Sequence, residues 1–436
     1  MKGSKRYWVV LLFATNNLAQ SQTSTSREDT TIANQYFAKA EELATAAQYD
    51  SSIFYFERAG KTYEVLASLY SDLRLWEKLV RSYNRIGDNY HIKDRYQQSL
   101  EYFDKALQLG LQKLGEKNSE VAASYDGFGH YYSNELEFEE AQRYFNKALA
   151  IRLELVGENH LQVAKSYFLI GGIQTDFEEA SMYFHKALRI RLKLLGENTI
   201  DVADSYHSIS SLYWDNGDLD EALKYLEKSL SIKTQLLGEN HPALAGGYNN
   251  LGLIYYLKRN YPIALKYLQK ALTINRSAFG EDHQKIGANC VNLAACHREL
   301  GEYDKALEYL NKAMSIHKKS FGEVHLAIAT KHHYTGQVYL HKGDYPKALE
   351  MFKNSLDLQF RLAHQFPDQI GWLYSDIAQA QSKQHGFNQA LKNYQKSIIA
   401  IVPGFSDSSI YRNPPTREYS FRSIITRCLI IQSAGF

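Results

Sequence analysis

Six times along this chain a five-residue phrase returns almost unchanged: LGEKN from Leu114, VGENH from Val156, LGENT from Leu195, LGENH from Leu237, FGEDH from Phe279 and FGEVH from Phe321. The glycines stand at 115, 157, 196, 238, 280 and 322, so successive copies lie 42, 39, 42, 42 and 42 residues apart. A fixed period of this size restricts the chain to architectures that stack one supersecondary unit on the next. A length of 436 residues would otherwise suggest roughly two or three globular domains, and the period overrides that expectation.

The cleanest unit runs from Leu237 to Asn275 and reads as two amphipathic helices. Tyr248, Leu251 and Tyr255 share one face of the first, with Gly252 beside them. Ala264, Leu268 and Ala271 share one face of the second, joined by Tyr267 and Leu272. Gly252 and Ala264 are small enough for two helix backbones to approach closely, while the tyrosines and Leu268 fill the space around them. A helix of about 14 residues is marginal alone in water, so each pair must stack on its neighbours to persist. Most of the 33 tyrosines fall at recurrent positions of this unit, which places them in the core.

This order of bulky and small positions resembles the tetratricopeptide repeat, in the 42-residue form of kinesin light chains and many bacterial proteins. It recurs as Tyr125, Phe128, Gly129, Tyr132, Ala141, Phe145 and Ala148, and again as Tyr206, Ile209, Ser210, Tyr213, Ala222, Leu226 and Ser229. The resemblance covers residues 33–401. Nine helix pairs begin near Tyr36, Tyr83, Tyr125, Tyr167, Tyr206, Tyr248, Cys290, His332 and Tyr374. It implies an all-α, right-handed superhelical solenoid whose leading helices line a concave groove for a peptide or protein. Carried over position by position, the groove residues are Asn84, Arg85, Asp126, His130, His207, Trp214, Asn249, Asn250, Asn292, Arg298, His333, Tyr334, Gln337 and Asp376. Asn249-Asn250 and Asn292 match the family's YNNL and xxNL forms, and an amide can bond a peptide main chain regardless of its sequence. The alternative is a solvated inner face with no ligand.

Two units depart from the pattern. Tyr36 to Tyr83 spans 47 residues, and the surplus around Leu73–Leu79 should lengthen a helix or a loop. Gly171 to Ala180 takes nine residues where Gly129 to Ala141 takes twelve, so either the first helix ends a turn early or the turn is cut, leaving a notch in the groove. Turn chemistry supports the boundaries. Gly217, Gly301 and Gly343 suit a left-handed helix end, and Pro242, Pro262 and Pro346 suit a first helical turn.

Composition narrows the partners. The formal charge is +2, of which Lys2, Lys5 and Arg6 supply three, so the rest of the chain is close to neutral. That argues against nucleic acid and membrane surfaces, which call for a basic face. Residues 1–21 have the build of a secretory signal peptide, with a basic start and an apolar run too short to span a bilayer. The expected location is therefore outside the cytoplasm if the signal is used and cytoplasmic otherwise, with no integral membrane segment in the mature chain. Residues 22–32 read as a polar linker.

Candidate chemistry is sparse. His160, His241, His283 and His325 share one repeat position, but equivalent positions lie on the order of 20 Å apart. A zinc–nitrogen bond is about 2.0–2.1 Å. They are read as polar residues at helix starts. His333, Gln337 and His341 form a polar stripe with Tyr334 on one leading helix, suited to ligand contact; no carboxylate or cysteine joins it to make a metal site. Cys290 and Cys296 are about 9 Å apart along one helix, too far to bridge, and read as core residues. Cys428 stands alone in the tail. No GxSxG, phosphate-binding loop or HExxH occurs. The expectation is no catalytic residue, no metal, no cofactor, and a binding scaffold rather than an enzyme.

The tail, residues 402–436, carries a second resemblance. Ile401 to Pro415 is similar to the segment that joins the repeats to a caspase-like domain in bacterial tetratrico–CHAT proteins. The similarity stops at Pro415, and the stretch from Thr416 has neither a helical nor a strand period, as a shifted reading frame would leave it. Two alternatives to the free-standing scaffold follow: the recognition arm of such a protease, and a cytosolic cargo adaptor resembling kinesin light chain.

Overall fold

The computed structural model describes residues 30–362 and 367–401. The signal-like segment, residues 22–29 of the linker, Cys428 and the tail lie outside them. The described residues contain helices and no strand. In order these are α1 (residues 30–45), α2 (Tyr49–Tyr70), α3 (Leu73–Ile92), α4 (Tyr96–Lys113), α5 (Ser119–Asn134), α6 (Phe138–Val156), α7 (Leu161–Gly171), α8 (Phe177–Leu195) and α9 (Ile200–Asp215). They continue as α10 (Leu219–Leu237), α11 (Ala245–Leu257), α12 (Tyr261–Phe279), α13 (Gln284–Glu299), α14 (Tyr303–Phe321), α15 (Leu326–Lys342), α16 (Tyr345–Arg361), α17 (Pro367–Lys383) and α18 (Phe387–Ile401). Residues 30–32, counted with the linker above, are already helical. The chain forms two compact units, Met1–Asp218 with α1–α9 and Leu219–Phe436 with α10–α18. Within each unit every helix packs on the next.

One interlock repeats along both units. Phe103, Phe145, Phe184, Leu226, Leu268, Leu310, Phe352 and Tyr394 recur on the trailing helices and are all buried. Several face a glycine of the leading helix so closely that a Cβ there would lie 2.6 Å from Phe103 at Gly87, and 2.5 Å from Phe145 at Gly129, Leu268 at Gly252 and Phe352 at Gly336. Burying one such side chain contributes about 1.5–3 kcal/mol, and only a missing Cβ admits it at this separation. Tyrosines extend the packing as ring stacks, Tyr132 on Tyr144 at 5.4 Å and Tyr255 on Tyr267 at 5.7 Å.

Turns within a pair are left-handed at one position. Gly217, Gly301 and Gly343 take φ of 84°, 76° and 83°, and Ala47, Asp94, Leu136, Arg259 and His385 take the same sign without being glycine. The short repeat lacks this turn. There α7 ends at Gly171 after 11 residues, against 16 in α5, and Gly172 stays right-handed. The first helix therefore ends early. Near the N-terminus the surplus residues Leu73–Leu79 form the opening turns of α3, which has 20 residues. Pro262 and Pro346 sit at the starts of α12 and α16, while Pro242 opens a short 3-10 turn, Pro242–Leu244, that leads into α11.

The recurrent phrase is a helix junction. Gly157, Gly196, Gly280 and Gly322 combine φ of 75–81° with ψ near 180°, a region open essentially only to glycine. The residue three positions on caps the next helix. His160, His283 and His325 each accept a backbone N–H at Nδ1, at 3.2, 3.2 and 3.0 Å, and His241 does so for the 3-10 turn at 3.2 Å. Asn118 and Thr199 do the same with side-chain oxygens.

Candidate functional site

The leading helices of the second unit are α11, α13, α15 and α17, and their inner faces are joined by a relay of side chains. Tyr256 at the end of α11 accepts a bond from the Arg298 guanidinium of α13 at 3.1 Å. Arg298 also pairs with Glu299 at 2.7 Å and donates to Gln337 of α15. The Gln337 amide then donates to Asp376 of α17 at 2.8 Å, and His333 Nε2 meets the same carboxylate oxygen at 2.7 Å. The relay advances one repeat at each step. The relay thus orients Asp376 through α15, and none of the described residues bonds its second oxygen. The His333 ring lies parallel to that of Tyr334, centroids 6.1 Å apart.

Two cavities share this floor. One, of about 370 Å³, lies between α15, α16 and α17 and is lined by Thr330, His333, Tyr334, Gln337, Gln359, Gln369, Trp372, Ser375 and Asp376. The other, of about 520 Å³, includes Tyr256, Arg298, Glu299, His341 and Gln379, and shares Gln337, Ser375 and Asp376. Trp372 is 43% exposed at the first cavity, whereas Gln359 is 2% exposed and its side-chain oxygen has no partner.

Upstream in the same unit the carboxamides bond one another. Asn275 donates to Asn289 at 2.7 Å; Asn289 and Asn292 both donate to Asn249, at 3.3 and 2.8 Å. Asn249 and Asn292 are therefore engaged in joining α11 to α13, and the Asn250 side chain bonds none of the described residues.

In the first unit two of the groove candidates are buried and bonded within the stack. Asn84 is 4% exposed; it donates to the Glu120 carbonyl at 3.0 Å and accepts from Ser124 at 2.8 Å, tying α3 to α5. Asp126 is 2% exposed and bound by both Arg152 nitrogens, at 2.9 and 2.7 Å, with Lys165 at 3.1 Å. Burial pushes the Asp126 carboxyl up, but Lys165 and Arg152 outweigh it and hold it below the ordinary carboxylate range. Both residues lie on the expected helices, and their side chains are taken up by neighbouring helices. Arg85 pairs with Glu41 at 2.9 Å and Asp88 at 3.4 Å, beside a cavity of about 340 Å³ that also meets His91 and His130. Burial pushes His130 down to about 4, partly offset by Asp126. His207 and Trp214 are half-buried on α9.

Thr330, Gln359, Gln369, Trp372 and Tyr256 were not singled out from the sequence. The spacing of 42, 39 and 39 residues from Tyr256 through Arg298 and Gln337 to Asp376 carries a signal for the relay, and Trp372 stands one helical turn before Asp376. Gln359 lies on a trailing helix, where no groove residue is sought. Cys290 and Cys296 are free and buried, and burial raises their thiols to about 11 and about 12. Among the described residues no cluster of three or more metal-ligating side chains occurs, and no helix is long and apolar enough to cross a membrane.

Six overlapping stretches, residues 79–154, 129–193, 172–235, 201–277, 243–319 and 286–359, match the tetratricopeptide repeat. The chain belongs to the tetratricopeptide repeat family. No curated protein matches it. Among solved structures this tetratricopeptide protein is similar to the apo form of RapI, with 16% identity, 85% of this chain and 97% of the other covered, and a TM-score of 0.63. It is also similar to a Rap protein complexed with Competence and Sporulation Factor, with 18% identity, coverage of 86% and 98%, and a TM-score of 0.53. BtubC (BKLC) from P. vanneervenii is 24% identical over 53% of this chain and 92% of its own, with a TM-score of 0.46. At these identities the likeness is one of fold.

Proposed function

We propose that this tetratricopeptide repeat protein is a non-catalytic scaffold that holds a peptide or a segment of another protein on the leading helices of its second unit. The relay from Tyr256 to Asp376 carries the reading, because it fixes polar groups along the floor of two adjoining cavities. Groups ordered before a ligand arrives lose less freedom on binding. Asn250, whose side chain bonds none of the described residues, supplies a further donor and acceptor for a peptide main chain. The Rap protein of similar fold is complexed with Competence and Sporulation Factor, which supports the use of such a stack as a ligand holder. Near-neutral charge outside the first 21 residues favours a protein partner over nucleic acid. The basic, then apolar N-terminus supports export, which N-terminal sequencing of the expressed protein tests by the loss of about its first 21 residues.

The binding reading is tested by selecting displayed random peptides on the full chain, with a Tyr334→Ala/Gln337→Ala double variant as the control. Enrichment on the parent that is lost on the variant, with helical content unchanged by circular dichroism, is expected. Equal enrichment on both would place binding elsewhere.

A further inference from the structure

We infer that the cavity between α15, α16 and α17 is a subsite for a cationic side chain, an ammonium or guanidinium group, of the segment that occupies the groove. The inference rests on the binding role proposed above and adds the chemistry of the occupant. Asp376 presents an oxygen that none of the described residues bonds, since His333 and Gln337 both take the other one. Gln359, in the same lining, is 2% exposed, and its oxygen has no partner among the described residues. Trp372 and Tyr334 place aromatic rings in the same lining.

The other classes of occupant fit less well. An anion would approach a carboxylate with no lysine or arginine among the described lining residues to offset it. Arg298, nearby, is engaged by Tyr256, Glu299 and Gln337. An apolar side chain would seal off the open Asp376 oxygen without a donor, which is the costly case for buried polar groups. A cation pairs with the open Asp376 oxygen through a charge-assisted bond and gains from the ring faces, indole most of all. The volume of about 370 Å³ lies at the lower end of the roughly 300–1,000 Å³ of small-ligand cavities, which suits one side chain rather than a folded element.

An array of acetylated, amidated random heptapeptides probed with the full chain tests this. Bound peptides are expected to carry arginine or lysine at one position, and changing it to citrulline or norleucine should weaken binding by about tenfold or more. The relative strength of the arginine and lysine forms tells guanidinium from ammonium. Asp376→Asn, whose single carboxamide oxygen can still serve both His333 and Gln337, should remove the preference for a basic residue while leaving residual binding. Trp372→Leu should weaken the basic peptides more than their norleucine counterparts. Bound peptides with no basic requirement, or a requirement that survives Asp376→Asn, would overturn the subsite and leave the groove standing. An array with no bound peptide would overturn both.

Discussion

The most repeated residue is decided by a backbone angle. Gly280 combines φ of 81° with ψ of 173°, and a Cβ built on it meets nothing within 4 Å. Its conservation of type from one copy to the next within the chain therefore reflects conformation and not packing. Gly280→Ala should cost on the order of 1–3 kcal/mol from the backbone alone. Gly252 is the opposite case. Its helical angles suit any residue, but a Cβ would stand 2.5 Å from Leu268, so Gly252→Leu should cost about 1–3 kcal/mol through overpacking. Thermal melts of both variants separate the two causes when repeated in a Leu268→Ala background. The penalty at 252 should shrink there and that at 280 should not; equal behaviour would remove the distinction.

Between elements, polar side chains act as the joints. Arg152 reaches from α6 to Asp126 of α5 and to Ser166 of α7, the latter at 2.6 Å, and Arg191 reaches from α8 to Ser205 of α9 at 2.6 Å. In the second unit the Asn275–Asn289–Asn249–Asn292 ladder occupies the equivalent place. Asn249→Ala leaves the donors of Asn289 and Asn292 without their acceptor and should cost about 1–3 kcal/mol. Asn250→Ala removes no hydrogen bond and should stay within about 0.5 kcal/mol of the parent. Urea unfolding measures both, and a larger loss at 250 than at 249 would contradict the ladder. The neighbouring asparagines look interchangeable on a helical wheel. Their roles separate only where α13 docks on α11.

Across the whole molecule, buried and half-buried histidines set a common response to acid. His130 is pushed down to about 4, and burial also lowers His91, His317 and His332. The unfolded chain takes up these protons first, near the ordinary value of about 6.5. Stability is then fully present above that value and falls as pH drops toward the folded values. For His130 alone the shift corresponds to on the order of 3 kcal/mol between about pH 6.5 and 4. The urea midpoint should therefore be lower at pH 4.5 than at pH 7, and His130→Gln should flatten the slope. A midpoint independent of pH over this range would show that these imidazoles titrate freely.

The helix pairs, the interlock of Gly252 with Leu268 and the capping role of His325 were legible because each depends on residues close in sequence and on a period that one helix face dictates. The same local rules placed Asn84, Asp126, Asn292 and Asp376 on leading helices and could go no further. Whether such a side chain meets a ligand or another helix depends on the offset and rotation between packed helices, and on what stands 26 to 43 residues away. Ser124 takes Asn84, Arg152 takes Asp126 and Asn249 takes Asn292. His333 and Gln337 converge on a single oxygen of Asp376 and leave the other open, beside a glutamine contributed by a trailing helix. That convergence exists only once three helices have docked, because a helical period fixes the direction of a side chain and not the partner it finds there.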